Sequence, residues 1–223
     1  MGPVASLFGS FRRVRLFVAV FFIAALAVAI VVFCVPKADL HATLNCCHNR
    51  FLDCFFSVYT HVAEFGVWLL GIILILGNKR RAAFVFVSEI LSGAVVQMLK
   101  FIFNMPRPGD MIAAGRMGGI PLVEGVALHT GRSFPSGHAA SFAVLAFAIC
   151  LLSMQDRPTR LRDIAVQTVC GVLFVAGCYS RIYLSQHFAD DVLVGGLIGF
   201  VATAVSWNRI MINRGFQSRT RCA

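Results

Sequence analysis

Residues 133–138 read SFPSGH and run directly into AASFAVLAFAICLLSM at 139–154. The second stretch carries no charge and suits lipid or a fully enclosed helix. The first sets a proline, two serines, a glycine and a histidine at its mouth, and polar groups at the entrance of an apolar helix need a reason. The chain around them is 58% hydrophobic and 13% charged, against an apolar content of about 45–50% in soluble domains. A helix rising 1.5 Å per residue needs about 20 apolar residues to cross ~30 Å of hydrocarbon. Six stretches meet or approach that length, at about 16–35, 55–77, 82–103, 138–154, 164–184 and 190–208, the fourth being short. The remainder reads as loop, so the expected fold is an all-α, polytopic membrane bundle of six transmembrane helices forming one domain over 1–223. The first span follows Arg12, Arg13 and Arg15 in the manner of a signal peptide, but it is too long and lacks a small-residue cleavage site, which predicts a retained helix.

The formal net charge of +10 matters here through its distribution rather than as a nucleic-acid footprint. Thirteen of the 20 basic residues fall at the N-terminus (Arg12, Arg13, Arg15), between spans two and three (Lys79, Arg80, Arg81), between spans four and five (Arg157, Arg160, Arg162) and in the tail (Arg209, Arg214, Arg219, Arg221). The positive-inside rule then places both termini in the cytoplasm. Lys37, Arg50, Lys100, Arg107, Arg116, Arg132 and Arg181 are left for the outer side. Of the eight cysteines, Cys34, Cys150, Cys170 and Cys178 lie in apolar spans as small hydrophobes. HATLNCCHNRFLDC (41–54) gathers His41, Cys46, Cys47, His48 and Cys54 without a zinc-type spacing.

The outer ends of the last four spans hold polar residues that packing does not account for. In KFIFNMPRP (100–108), Lys100 ends span three and Arg107 follows two turns later, past a break expected at Pro106 and Pro108. Either cation alone reads as a snorkelling side chain. In SFPSGH, Ser136 suits an N-cap and Gly137 allows close approach to the backbone, which makes this helix start an anion site with His138 in its first turn. In YSRIYLSQHFADD (179–191), Arg181 closes span five, and His187 and Asp191 stand one turn apart on one helix face, with Asp190 as the alternative partner. A carboxylate beside an imidazole fixes its tautomer and leaves the other nitrogen nucleophilic. Three cations, an anion-binding helix start, a His–Asp pair and a second histidine are the parts that phosphoryl transfer needs. No carboxylate cluster calls for a metal, and no cofactor is expected.

The order K-x6-RP, PSGH, SR-x5-H-x3-D resembles the three-part signature of the type 2 phosphatidic acid phosphatases, which share a helical fold with vanadium haloperoxidases and bacterial acid phosphatases. The motif positions fall on Lys100, Arg107, Pro108, the stretch Pro135 to His138, Ser180, Arg181, His187 and Asp191. The resemblance implies that His187 attacks phosphorus to give a phosphohistidine, that Asp191 orients it and that His138 protonates the leaving group. It also implies that Lys100, Arg107, Ser136, Gly137 and Arg181 hold the phosphate. The expected substrate is a lipid phosphate monoester or diphosphate at the outer face of a bacterial inner membrane. Lipid A and undecaprenyl diphosphate lead, with phosphatidylglycerophosphate and phosphatidate also handled by the family. A phosphotransferase using the same phosphohistidine and a transporter built on Glu64, Glu89 and Lys100 are the rival readings. The loop 104–137, with Arg116, Glu124, His129 and Arg132, reads either as a headgroup-selecting lid or as a connector, and the oligomeric state is left open.

Overall fold

The computed structural model describes residues 9–154 and 159–213; Arg157, Arg214, Arg219 and Arg221 lie outside the described residues. All regular structure in that range is helical. The helices are α1 (Arg15–Cys34), α2 (Lys37–Leu44), α3 (Arg50–Tyr59), α4 (Val62–Gly77), α5 (Lys79–Phe103), α6 (Pro108–Ala113), α7 (Gly137–Ser153), α8 (Arg160–Tyr183) and α9 (Ala189–Ser206), which continues as a π-helical turn over Trp207–Asn213. By length and apolarity α1, α5, α8 and α9 suffice to cross a membrane, and α3 with α4 makes a fifth span bent by 41°. With the shorter apolar α7 this is consistent with the six spans expected. Large apolar side chains such as Ile23, Leu26, Phe33, Leu69, Ile72, Leu76, Ile90 and Val172 face outward, as a lipid-exposed belt requires.

α7 is the axis of the bundle. It is apolar on every face, the pattern of a helix surrounded by others, and it packs against α9, α8, α5 and α4. Its alanines let these neighbours approach closely, and Phe147 stacks on Phe200 of α9 with centroids 4.4 Å apart while Phe17 of α1 stacks on Phe147 at 5.6 Å. Its 17 residues reach about 25 Å, some 5 Å short of the hydrocarbon core. At its far end the Met154 carbonyl accepts from Arg13 at 3.3 Å. At that same end Arg80 donates to the carbonyls of Ile210 and Met211 and the Trp207 indole to Ser10. The polar start of α7 lies at the opposite end of the helix.

Three segments differ from the expected loops. α2 and the start of α3, residues 50–54, are helical although HATLNCCHNR carries no span-length apolar pattern. α3 is capped by Asn49, whose side chain accepts from Leu52 N. α2 is held by tertiary bonds, because the Asn45 amide that follows it donates to the Ile182 carbonyl and to Ser185 Oγ. α6 begins at Pro108, the residue expected to end a helix, since proline is favoured in the first helical turn. His41 and His48 are engaged by Ser185 Oγ (3.2 Å) and by Asp53 (3.1 Å), and Cys46, Cys47 and Cys54 are free thiols.

Candidate active site

The start of α7 docks directly on α9. The Ser136 N–H donates to the Asp191 carbonyl at 2.9 Å, and Gly195 faces the Ser136 backbone so closely that an added Cβ would overlap its carbonyl oxygen and lie 3.1 Å from its carbonyl carbon. Only glycine permits that approach. Ser136 Oγ caps α7 by accepting from Ala139 N at 3.4 Å. The expectation of several free N–H groups is thus narrowed: Ser136's is committed, while those of Gly137 and His138 donate to none of the described residues. A Cβ at Gly137 would meet Val96 at an ordinary 3.7 Å, so packing alone does not demand glycine there.

The five residues between α8 and α9 carry His187 into the bundle, where it is 2% exposed. This loop is braced on three sides. Ser185 adopts φ +51° and bonds the His41–Asn45 pair, the Gln186 amide donates to the Ala127 carbonyl at 2.9 Å, and the Phe188 N–H donates to Asp191 Oδ2 at 3.0 Å. That last bond closes the first turn of α9 from within, a carboxylate reaching back to an N-terminal amide. The same carboxylate lies 3.4 Å from His187 Nδ1 and accepts from Ser133 Oγ. Arg107 Nη1 is 3.3 Å from His187 Nε2, and since a guanidinium only donates, Nε2 must present its lone pair and Nδ1 must carry the proton. Asp190 turns away to pair with Lys37 at 2.8 Å, so Asp191, not Asp190, is the partner of His187.

Electrostatics favour that tautomer remaining neutral. Burial pushes the His187 imidazole well below its ordinary pKa, and Arg107, Arg181, Lys100 and His138 push the same way. Arg107 is itself buried and fixed by Gly131 O (2.8 Å) and Gln186 O (2.9 Å). Its backbone N–H and that of Gly131 both donate to Asp110 (2.7 and 2.8 Å). The loop 104–137 is therefore pinned at both ends, as Ser133 N also donates to Met105 O at 2.9 Å. Arg181, 4% exposed, donates to Thr60 Oγ1 at 2.5 Å, and its Nε has no partner among the described residues. The Lys100 ammonium makes no hydrogen bond with them and interacts electrostatically with Arg107, Arg181, Arg132 and Asp191. His138 Nε2 lies 3.1 Å from Glu64. Arg132 is exposed and lies over the Phe101 ring at 4.4 Å.

All eight residues singled out in sequence are thus gathered at one end of the bundle. Sequence reasoning gave no role to Ser133, Asp110 or Thr60. Ser133 is the first residue of the stretch already singled out, and its position beside a helix start was its available signal. Thr60 is 121 positions from Arg181, and although it weakly resembles a position near the start of small bacterial members of the family, spacing gave no sign of this bond.

A sequence model of the PAP2 superfamily matches residues 81–214, from the start of α5 to past the end of α9. The chain belongs to the PAP2 superfamily. The match covers every motif residue but not Thr60 and Glu64, which α3 and α4 supply from outside it. Two solved structures share the PAP2 fold. Aquifex aeolicus LpxE is 26% identical with a TM-score of 0.63, the alignment covering 76% of this chain and 93% of that one. A transmembrane PAP2-type phosphatidylglycerolphosphate phosphatase from Bacillus subtilis is 21% identical with a TM-score of 0.58, over 94% and 97% of the two chains, a likeness that shows the fold alone. No curated protein matches the sequence. The chain is a membrane phosphatase of lipid phosphates.

Proposed function

We propose that this PAP2 protein hydrolyses a phosphate monoester or diphosphate on a lipid headgroup at the outer, periplasmic face of a bacterial inner membrane, with both termini in the cytoplasm. The observation that carries the reading is the environment of His187: a buried imidazole whose Nε2 lone pair faces Arg107 while Nδ1 is turned to Asp191. A neutral, oriented imidazole surrounded by cations is suited to attack an anionic phosphoryl group and to little else. Phosphate oxygens replacing the Arg107 contact would draw on Lys100, Arg107 and Arg181, on the N–H groups of Gly137 and His138, and on the Ser136 cap that sets the start of α7. The unpartnered Nε of Arg181 and the unpaired Lys100 are donors in waiting. His187 Nε2 forms the P–N bond as the P–O bond to the lipid breaks, with His138 giving its proton to the leaving oxygen. Water, deprotonated by His138, then releases phosphate. Fixed side-chain charge neutralises the transferring group, the role a metal ion plays elsewhere.

The shortness of α7, whose 17 residues span less than the hydrocarbon core, supports a headgroup drawn to the membrane boundary while its chains stay in lipid. Among headgroups, lipid A and undecaprenyl diphosphate fit an outward-facing site first, with phosphatidylglycerophosphate and phosphatidate next. The test is phosphate release by detergent-purified protein from these four lipids and from glucose 6-phosphate, with and without chelator. Fast release from one lipid class, slow release from the sugar phosphate and no effect of chelator are expected. Equal rates on lipid and sugar phosphates, or collapse with chelator, would contradict the reading.

A further inference from the structure

The bend between α3 and α4 delivers two groups to the site that the motif does not contain. Thr60 takes a hydrogen from Arg181 at 2.5 Å. One turn on, in the first turn of α4, Glu64 spans two imidazoles: Oε1 lies 3.1 Å from His138 Nε2 and Oε2 lies 2.9 Å from His61 Nδ1. A carboxylate accepts only, so Nε2 of His138 carries its hydrogen toward Glu64. The arrangement parallels His187 and Asp191 in setting a carboxylate beside the imidazole, but the second pair is assembled from separate helices 74 positions apart.

We propose that Glu64 is the positioning residue for His138: it holds Nε2–H, is itself held by His61, and so leaves Nδ1 as the nitrogen that exchanges the proton. This rests on the hydrolase reading above. In the first step the Nδ1 proton passes to the leaving oxygen as its bond to phosphorus breaks and the bond from His187 Nε2 to phosphorus forms. In the second, water bonds to phosphorus, its proton goes to His138 Nδ1 and the P–N bond breaks, so the imidazole returns to its starting state. The doubly protonated form of His138 faces Arg181 from α8, Lys100 from α5 and His187 from the α8–α9 loop. Glu64 from α4 is the carboxylate that offsets them, and its charge is also felt by Arg181 and His129. A purely structural ion pair is a poor alternative. The Glu64 and His138 side chains are 41% and 25% exposed, and pairs open to solvent add little to stability.

The test compares Glu64→Ala, Glu64→Gln and Glu64→Asp on two substrates: dioleoyl phosphatidate in detergent micelles, whose alkoxide leaves poorly without a proton, and p-nitrophenyl phosphate, whose phenolate needs none. Glu64→Ala is expected to lower kcat on phosphatidate about 10- to 100-fold, part of the 10²–10⁴ that an acid contributes. KM, the melting temperature and the pre-steady-state burst of p-nitrophenolate, which reports P–O cleavage before water is activated, should barely change, and Glu64→Asp should recover part of the loss. On a His138→Ala background, Glu64→Ala is expected to add nothing. Equal losses in the P–O cleavage step on both substrates, or additive losses in the double variant, would overturn the proposal. If wild-type protein releases phosphate from neither substrate, the hydrolase reading falls. The contact itself is decided separately by proton NMR of histidine-labelled protein: a downfield Nε2–H signal of His138 that vanishes in Glu64→Ala supports it, and no such signal in the wild type refutes it.

Discussion

Replacing Gly195 with alanine should separate the phosphate-binding start of α7 from the nucleophile without touching either. The added methyl would overlap the Ser136 carbonyl oxygen and lie 3.1 and 3.2 Å from its carbonyl carbon and nitrogen. Those are backbone atoms, which cannot swing aside as a side chain would. Restoring ordinary carbon contacts of about 3.5–4.0 Å requires the two helices to part by about 1 Å at this level. The parting stretches the bond from Ser136 N to the Asp191 carbonyl, the link that sets the distance between cradle and nucleophile. A misplacement of about 1 Å is worth roughly 10² in rate, while overpacking costs about 1–3 kcal/mol, so the variant should still fold and lose about 10²-fold in kcat. Gly93→Ala, where nothing lies within 4 Å, and Gly196→Ala, where the neighbour is the far edge of the Phe174 ring at 3.2 Å, are the controls and should stay close to wild type. The assay is phosphate release at saturating lipid together with thermal unfolding in detergent. A Gly195→Ala protein that unfolds like wild type and keeps most of its kcat would refute the claim that this contact sets the site.

Two further perturbations follow from the hydrogen bonds around His187. Ser133→Ala removes the hydroxyl that donates to Asp191; a bond to a buried charge is worth about 1.5–3 kcal/mol, so kcat should fall about tenfold or more, and a rate within twofold of wild type would exclude a part for Ser133, by the same conversion. His41 is enclosed, and burial lowers its pKa to about 4. Its neutral form is therefore the one the fold accepts, and stability present above pH 6.5 is lost as pH falls from there toward 4. At pH 5 the loss is about 2 kcal/mol, which a comparison of thermal unfolding at pH 7 and 5 with that of His41→Gln should reveal as a flatter dependence in the variant. His187 is shifted the same way and should stay neutral, and competent to attack, well below the ordinary histidine range.

The spans were legible because crossing a membrane imposes a length and a composition, and the three motif segments because each is local: a cap, a glycine and a histidine in six residues, or an imidazole and a carboxylate one turn apart. Asp191 rather than Asp190 is the partner as spacing suggested, but His187 lies in the loop before α9 begins at Ala189, and the capping turn through Phe188, not a shared helix face, brings the two together. What joins the segments was not legible. The Gly195 contact with Ser136 depends on how two helices cross, the Thr60 bond to Arg181 on a bend that no proline or glycine marks, and α2 on hydrogen bonds to residues about 140 positions away. Glu64 was visible as an ionisable residue in an apolar span, but its two imidazole partners come from the folded bundle.

The central claim is that His187 accepts the phosphoryl group, and rapid acid-free quenching of the protein mixed with ³²P-labelled lipid phosphate, followed by peptide mapping, tests it directly. Label is expected on the peptide carrying His187, retained in His138→Ala, where release of the group is slowed, and missing in His187→Ala. Label on another residue, or turnover that survives in His187→Ala, would contradict the account.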